Sequence, residues 1–426
     1  MVLRCGAARI DITPPPGLPM AGYLERKGLA VGAHDPLFAR ALYLDDGRTE
    51  LLLLVLDLIR VEGMLLEEVR RSVSSATGIR DVFVAATHTH AGPEVSLSMW
   101  ATQDISLKRS DIGRYIRFVA TRCASAALEA MERAEASELR VSRGLVKEVA
   151  TNRIDPRRPV DEEVALASVW SRGRLVAIVA NFACHPTILG AINTLYSGDF
   201  FGFAAQEVEE ALGGVAMICN GAAGNVSTRF SRMGYGFDEV ARMGRKLSSA
   251  IVSSVISRGC RVNCVGCLDI TYLRKSLRSR SLPRKDELEE MKSRVVSEIE
   301  SARRSNVPKG VLRALLSKLY AIEVLLKRLA EGVPSTVDVE LGVVRIGDRI
   351  LAIFFPGELF VEYQLEAKRR AREKGKEVIV VGYSNGYLGY FPHKSYENIQ
   401  CYETMVSIVD PSEYPRVEEM LLEALS

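Results

Sequence analysis

The sequence predicts an α/β protein, with mixed β-sheets covered by helices and a helical hairpin inserted over 282–332. Short apolar runs alternate along the chain with longer amphipathic stretches, the signature of strands interleaved with helices. Several runs break abruptly into loops containing Gly or Pro, as Val82 to Ala86 does at Thr87-His88-Thr89-His90-Ala91-Gly92-Pro93. Beyond Leu282 the apolar residues change to helical spacing. At 426 residues and 47% hydrophobic the chain can bury a large core, and we treat 1–426 as one catalytic domain carrying that insertion.

The elements follow in order. Ala7 to Gly22 opens as a strand and passes into Thr13-Pro14-Pro15-Pro16-Gly17, where consecutive prolines exclude a helix. Leu37 to Leu44 and Leu51 to Ile59 flank Asp45-Asp46-Gly47, a hairpin turn signal. A helix over 63–76 leads into the strand that ends at His88, and a second helix covers 110–136. Strands are expected at 140–150, 164–170 and 175–183, the last ending at Cys184-His185-Pro186. A helix over 202–212, a strand over 215–219, a glycine-rich loop and a helix over 237–257 come next. Leu288, Met291, Val295 and Ile299 share one helical face, and Leu312, Leu315, Leu316, Leu319 and Ile322 share another, after a break at Asn306-Val307-Pro308. This hairpin is read as an insertion projecting from the body, with a substrate lid or a membrane-contact element as the alternatives. Strands at 337–346 and 349–355, a helix over 359–374, a strand over 377–382 and a tyrosine-rich segment over 383–403 complete the pattern.

Composition narrows the function. A formal net charge of +3, with signs alternating and no basic tract, gives no electrostatic footprint for nucleic acid. The first residues lack a signal-peptide core, and the longest apolar stretch, Leu51 to Leu56, is too short for a transmembrane segment. A cytoplasmic protein is therefore expected. Eight cysteines in so long a chain make no disulfide framework. Cys260, Cys264 and Cys267 cluster without a further ligand pair nearby and are read as core cysteines.

Chemistry is expected at strand ends. Two of the five histidines stand two positions apart at His88 and His90. If the strand conformation persists, residues i and i+2 face one side, so one ring is a metal ligand and the other a second ligand or a proton carrier. The apolar runs 82–86, 175–183 and 349–355 end at His88, His185 and Glu358. Two His and one Glu form a known ligand set for catalytic zinc, although Glu358 also stands where a helix-capping carboxylate would. The loop Asn220-Gly221-Ala222-Ala223-Gly224-Asn225-Val226-Ser227 offers backbone N–H groups to an oxyanion. Ser227 is a candidate nucleophile or donor, and Asp199 a candidate helix cap or partner of a ligand histidine.

Taken together, these motifs resemble the neutral/alkaline non-lysosomal ceramidases, in their catalytic N-terminal domain. The resemblance runs from Ala7-Ala8-Arg9-Ile10-Asp11-Ile12-Thr13-Pro14-Pro15 through His34-Asp35-Pro36, Thr87-His88-Thr89-His90, Asn152-Arg153 and Asn181-Phe182-Ala183-Cys184-His185. It continues through Ser197-Gly198-Asp199, Phe355-Pro356-Gly357-Glu358 and Tyr383-Ser384-Asn385 to Tyr402-Glu403. It implies Zn2+ held by His88, His185, Glu358 and Tyr390, with Tyr387 as the alternative tyrosine. It also implies that Tyr402 is a second active-site tyrosine, that His90 lies close to the metal and supplies a proton to the leaving amine, and that Arg153 holds the reacting carbonyl. Ser227 falls on the family's active-site serine. The implied activity is hydrolysis of the amide of ceramide or a related small-molecule or lipid N-acyl substrate by metal-activated water. An ester or lactone hydrolase and a non-catalytic binding protein on the same fold are the alternatives.

The sequence departs from the family in two places. The family's Asp-Val-Ser-Pro-Asn is replaced by Asn225-Val226-Ser227-Thr228-Arg229, a departure at Ser227 and in what the resemblance implies is the sphingoid-base pocket. The chain is also read as lacking the immunoglobulin-like C-terminal domain of longer ceramidases.

Overall fold

The computed structural model describes residues 2–98, 101, 105, 108–264, 268–305, 307 and 309–426. Three sheets carry the architecture, and each combines antiparallel strands with one parallel pair. In the first, the strand order is Asp81–Ala86, Glu50–Leu56, Phe38–Asp45, Arg4–Asp11 and Glu135–Ala136, and 81–86 runs parallel to 50–56. In the second, the order is Val215–Asn220, Arg174–Phe182, Glu163–Ser171, Glu138–Leu145 and Cys260–Arg261, with 174–182 parallel to 215–220. In the third, the order is Leu268–Arg278, Thr336–Ile346, Ile350–Phe354 and Glu377–Val381, with 350–354 parallel to 377–381.

The parallel pairs are the most deeply buried strands. Every residue from Val82 to Ala86 and from Ile350 to Phe354 is buried, which is why these segments read as unbroken apolar runs rather than alternating ones. Their carboxyl ends are tied to one another. Asn220 Nδ2 donates to Thr87 O at 3.3 Å, Gly382 N to Asn220 O at 3.0 Å, and Ala86 N to Tyr383 O at 3.1 Å. Asn181 Nδ2 donates to Val380 O at 2.8 Å, deeper between the second and third sheets. A closed set of hydrogen bonds thus gathers three strand-end loops into one place.

Helices Gly63–Thr77 and Arg109–Glu132 cover the first sheet, and Asp199–Leu212 and Phe237–Ile256 pack on each other beside the second. The helix expected to reach residue 136 stops at Glu132, and Glu135–Ala136 instead adds an edge strand to the first sheet. The strand Leu268–Arg278, which the sequence reading did not include, pairs along its whole length with Thr336–Ile346. Arg274 stands on its exposed face and Lys275 on the half-buried one, and these charges masked the strand pattern. A helix, Tyr414–Ala424, follows the tyrosine segment.

The hairpin consists of helices Lys285–Arg304 and Lys309–Glu331. The break expected at Asn306-Val307-Pro308 lies largely outside the described residues. Leu288, Val295, Ile299, Ile322 and Leu325 form a separate small core between the two helices. Truncating Leu288 to Ala would cost about 2–5 kcal/mol, as for other fully buried leucines. The hairpin does not simply project. Buried Arg328 donates to Ser407 O at 3.3 Å and Ile408 O at 3.0 Å, and Lys327 Nζ donates to Ala101 O at 2.9 Å. The second helix is thereby held down against the body.

The core reading of the clustered cysteines is corrected. Cys260 is exposed and Cys264 half-buried, because the strand at 260–261 lies on a sheet edge; Cys267 lies outside the described residues.

Candidate active site

The ends of the three parallel pairs meet around His88, His185 and Glu358. His88 lies two residues beyond Ala86, and its backbone has left the strand conformation, with φ at +68°. The expectation that His88 and His90 converge because a strand continues is therefore corrected. They do converge, but through a left-handed residue that only surrounding contacts can hold. Those contacts include His88 N to Leu58 O at 2.9 Å. Tyr383, at the end of 377–381, also has a left-handed backbone (φ +53°) and stacks on the His88 ring with centroids 4.0 Å apart.

Each imidazole is fixed by a backbone carbonyl. His88 Nδ1 lies 2.6 Å from Ile59 O, His185 Nδ1 lies 2.8 Å from Ala223 O, and His90 Nδ1 lies 3.1 Å from Gly22 O. A carbonyl only accepts, so each Nδ1 carries the proton and each Nε2 presents a lone pair. Burial drives all three imidazoles well below their ordinary pKa, outweighing the opposite pull of Glu358 on His88. They are neutral, the form that binds metal.

The Nε2 atoms converge. Those of His88 and His90 are 3.2 Å apart, and ligand atoms of His88, His90 and His185 all lie within 4.8 Å of one another. Glu358 Oε2 lies 3.1 Å from His185 Nε2, and Oε1 lies 3.8 Å from His88 Nε2. His185 Nε2 has no hydrogen-bond partner although the ring is fully buried. Three lone pairs and a carboxylate thus face one point, an arrangement that repels itself until a cation occupies the centre. The donor set, nitrogen and carboxylate oxygen, suits a borderline divalent ion.

Glu358 does not cap a helix. It lies in the two-residue strand Glu358–Leu359, parallel to Tyr390–Phe391, and the helix begins at Val361. Its carboxylate accepts from Tyr383 Oη at 3.2 Å and from the Tyr387 hydroxyl. Tyr390 is opposite Glu358 in register, but its hydroxyl accepts from Arg153 Nη2 at 3.1 Å. Burial and Glu358 push the Tyr383, Tyr387 and Tyr390 phenols well above their ordinary range. Tyr402 opens a short helix and meets Tyr390 edge-on, with ring centroids 5.7 Å apart.

Arg153 is anchored by Gly224 O at 2.7 Å and pairs with Glu403 Oε1 at 2.8 Å. Ser227 belongs to a two-residue strand paired with Thr151–Asn152, and its Oγ accepts from Arg229 N at 3.2 Å. Asp199 touches no histidine. Its carboxylate opens the helix Asp199–Leu212, accepting from Phe200 N at 2.7 Å, and ties down the loop after His185 through Ile188 N at 3.0 Å. Burial raises its pKa to about 6.

Gly22 is required by a close approach. Its φ is +98°, and an added Cβ would sit 2.3 Å from His90 Nδ1.

All of the sequence-predicted site residues except Asp199 come within one region. His88, His90, Arg153, Ser227, Glu358, Tyr390 and Tyr402 line a single cavity of about 980 Å³. Its opposite wall is the second hairpin helix, through Leu312, Leu315 and Leu316. The sequence reading missed Tyr383 as a partner of Glu358. The signal was present, because Tyr383 follows the parallel partner of the strand that leads to Glu358.

The chain is similar to known proteins throughout. The description "Neutral/alkaline non-lysosomal ceramidase, N-terminal" matches residues 3–236. A neutral ceramidase of Mycobacterium tuberculosis (strain ATCC 25618 / H37Rv) is 29% identical over 221 residues, covering 46% of this chain and 34% of that protein. The match thus spans about a third of the relative's length. The crystal structure of neutral ceramidase from Pseudomonas aeruginosa aligns with a TM-score of 0.76 at 19% identity, over 100% of this chain and 74% of that one. A ceramidase complexed with C2 aligns with a TM-score of 0.75 at 19% identity, over 100% and 75% of the two chains. With its α/β fold shared across its full length and the family match covering more than half of it, this chain belongs to the neutral/alkaline non-lysosomal ceramidase family.

Proposed function

We propose that the protein is a zinc-dependent hydrolase that cleaves the amide bond of N-acyl substrates, ceramide or a related N-acyl compound. The observation that carries this reading is the convergence of neutral His88 and His185 with Glu358 on one point inside a large amphipathic cavity. His88, His185 and Glu358 would hold the ion, with Tyr390 as the fourth ligand and Tyr387 as the alternative. A bound zinc lowers the pKa of its water towards about 7 and polarises a carbonyl.

The chain's own residues supply the rest. His90 is held by Gly22 O through Nδ1, so its Nε2, beside His88 Nε2, is the nitrogen that would take up a proton and pass it to the leaving amine. Arg153, fixed on one side by Gly224 O and on the other by Glu403, offers a rigid cation to the oxyanion. Tyr402 and Ser227 add hydroxyl groups to the same wall. Tyr383 and Tyr387 hold Glu358 in one orientation. The apolar hairpin wall provides a place for the acyl chain.

The test is metal content of the purified protein, combined with hydrolysis of a panel of N-acyl amides that includes ceramide. About one zinc per chain with chelator-sensitive amide cleavage supports the reading. Stoichiometric zinc with every amide untouched moves the reaction to esters or lactones. No zinc after reconstitution refutes it.

A further inference from the structure

The cavity holds more positive charge than the proposed chemistry uses. Arg153 is paired with Glu403, but Arg229, Arg232 and Arg313 have no carboxylate within salt-bridge distance among the described residues. Arg229 and Arg232 lie in the loop after Ser227, and Arg313 reaches across from the hairpin. Their acceptors are neutral. Arg229 Nη1 donates to Arg153 O at 2.9 Å and Arg232 Nη1 to Thr187 O at 2.7 Å. The single hydroxyl of Tyr235 lies within reach of Arg232 Nη2, at 3.1 Å, and of Arg313 Nη2, at 3.2 Å.

This cluster is poorly compensated. Burial and neighbouring Arg153 pull the Arg229 guanidinium down to about 10. Burial pushes the Tyr235 phenol up, yet Arg232 and Arg313 outweigh it and hold it below its ordinary value. Arg229 is also close to the reacting centre. Its backbone N–H bonds Ser227 Oγ, and Ser227 forms a β-bridge with His185. It stands in the stretch where the sequence departs from the family pattern.

We propose that this arginine cluster is a carboxylate-binding subsite and that the preferred substrates are N-acyl amides whose amine part carries a carboxylate, such as N-acyl amino acids. Guanidinium groups match carboxylates with paired, directional hydrogen bonds. In an N-acyl amino acid the carboxylate lies a single carbon from the amide nitrogen, so Arg229 would hold it while the amide faces His88, His185 and Glu358. The acyl chain would follow Leu312, Leu315 and Leu316 along the hairpin wall. This rests on the hydrolase reading above and assigns its substrate class.

The test compares N-lauroylglycine with neutral N-lauroylethanolamine on the full-length, zinc-loaded protein. The expected result is a kcat/KM at least tenfold higher for the glycine amide. Arg229→Gln and, separately, Arg313→Gln should raise KM for that substrate about tenfold more than for the ethanolamide. Arg313 sits on the hairpin surface and makes no contact with Arg153, so its variant guards against a general disturbance of the site. Equal preference, or variants that affect both substrates alike, would overturn the proposal. If neither amide is cleaved, the hydrolase reading still stands or falls by the wider panel above, and binding decides the subsite alone. Ketone analogues with CH2 in place of the amide NH, ending in a carboxylate or an alcohol, should then differ tenfold in affinity in favour of the acid; equal affinity would overturn it.

Discussion

His88 and His90 present their Nε2 atoms to each other at 3.2 Å, while the opposite nitrogen of each ring faces a backbone carbonyl, Ile59 O and Gly22 O respectively. Neither ring has a proton to share at that contact. A positive charge between the two rings would relieve their repulsion, and His185 and Glu358 complete the enclosure. The arrangement of acceptors is compatible with a metal ion at its centre.

Replacing His185 by Ala should reduce bound metal from about one per chain to near zero and reduce turnover by at least a thousandfold. A binding protein on this fold would keep its ligand affinity in the same variant. Metal analysis and ligand titration of the one preparation distinguish the two.

Metal retention should persist to unusually low pH. Protons compete with metal only when an imidazole can be protonated. Burial lowers the pKa of all three rings well below 6.5, so the neutral form survives as pH falls through the ordinary histidine range. Dialysis at pH 6 should therefore leave the metal in place, with release only at distinctly more acid pH. Loss of half the metal near pH 6.5 would contradict this.

Gly22→Ala tests the placement of His90 without touching the proposed metal ligands. The added methyl group must displace the His90 ring. Turnover should fall by 10²–10⁴-fold, the usual contribution of a positioned proton donor, while zinc content stays near one per chain.

Removing the donors to Glu358 should weaken metal binding without abolishing it. Tyr383→Phe deletes the hydrogen bond to Oε2 and keeps the ring stacked on His88. An affinity loss of about 10–100-fold is expected, as for other groups that orient a ligand. Competition with a chelator of known affinity would measure it.

Asp199 gives a stability signature. Its pKa is about 6 in the folded protein, against an ordinary 3.8, chiefly through burial. The folded state then binds the extra proton between these values, so its contribution is fully present below pH 3.8 and is lost as pH rises through 6. By linkage the change is about 3 kcal/mol. Urea unfolding of the wild type and Asp199→Asn across pH 4.5–7 should show the wild type losing stability relative to the variant as pH rises.

Much of this was legible in the sequence for a physical reason. Parallel strands buried on both faces read as unbroken apolar runs, and their ends are where His88, His185 and Glu358 stand. What the sequence could not show was the joining of those ends, which depends on side chains such as Asn220 and Asn181 reaching between sheets. Nor could it show the left-handed backbone of His88 and Tyr383, a local strain set by tertiary contacts. Exposed Cys260 was misread because nothing local in the sequence marks its strand as the edge of a sheet. The hairpin was visible in its periodicity, but its place as a wall of the cavity depends on Arg328 and Lys327 gripping distant carbonyls.

The central claim is that His88, His185 and Glu358 enclose one divalent ion. Anomalous diffraction at the zinc edge, on crystals of the zinc-loaded protein, tests it most directly. The account predicts a single strong peak about 2.0–2.2 Å from the Nε2 atoms of His88 and His185 and from a Glu358 carboxylate oxygen. Full zinc occupancy elsewhere, or no peak between these residues, would contradict it.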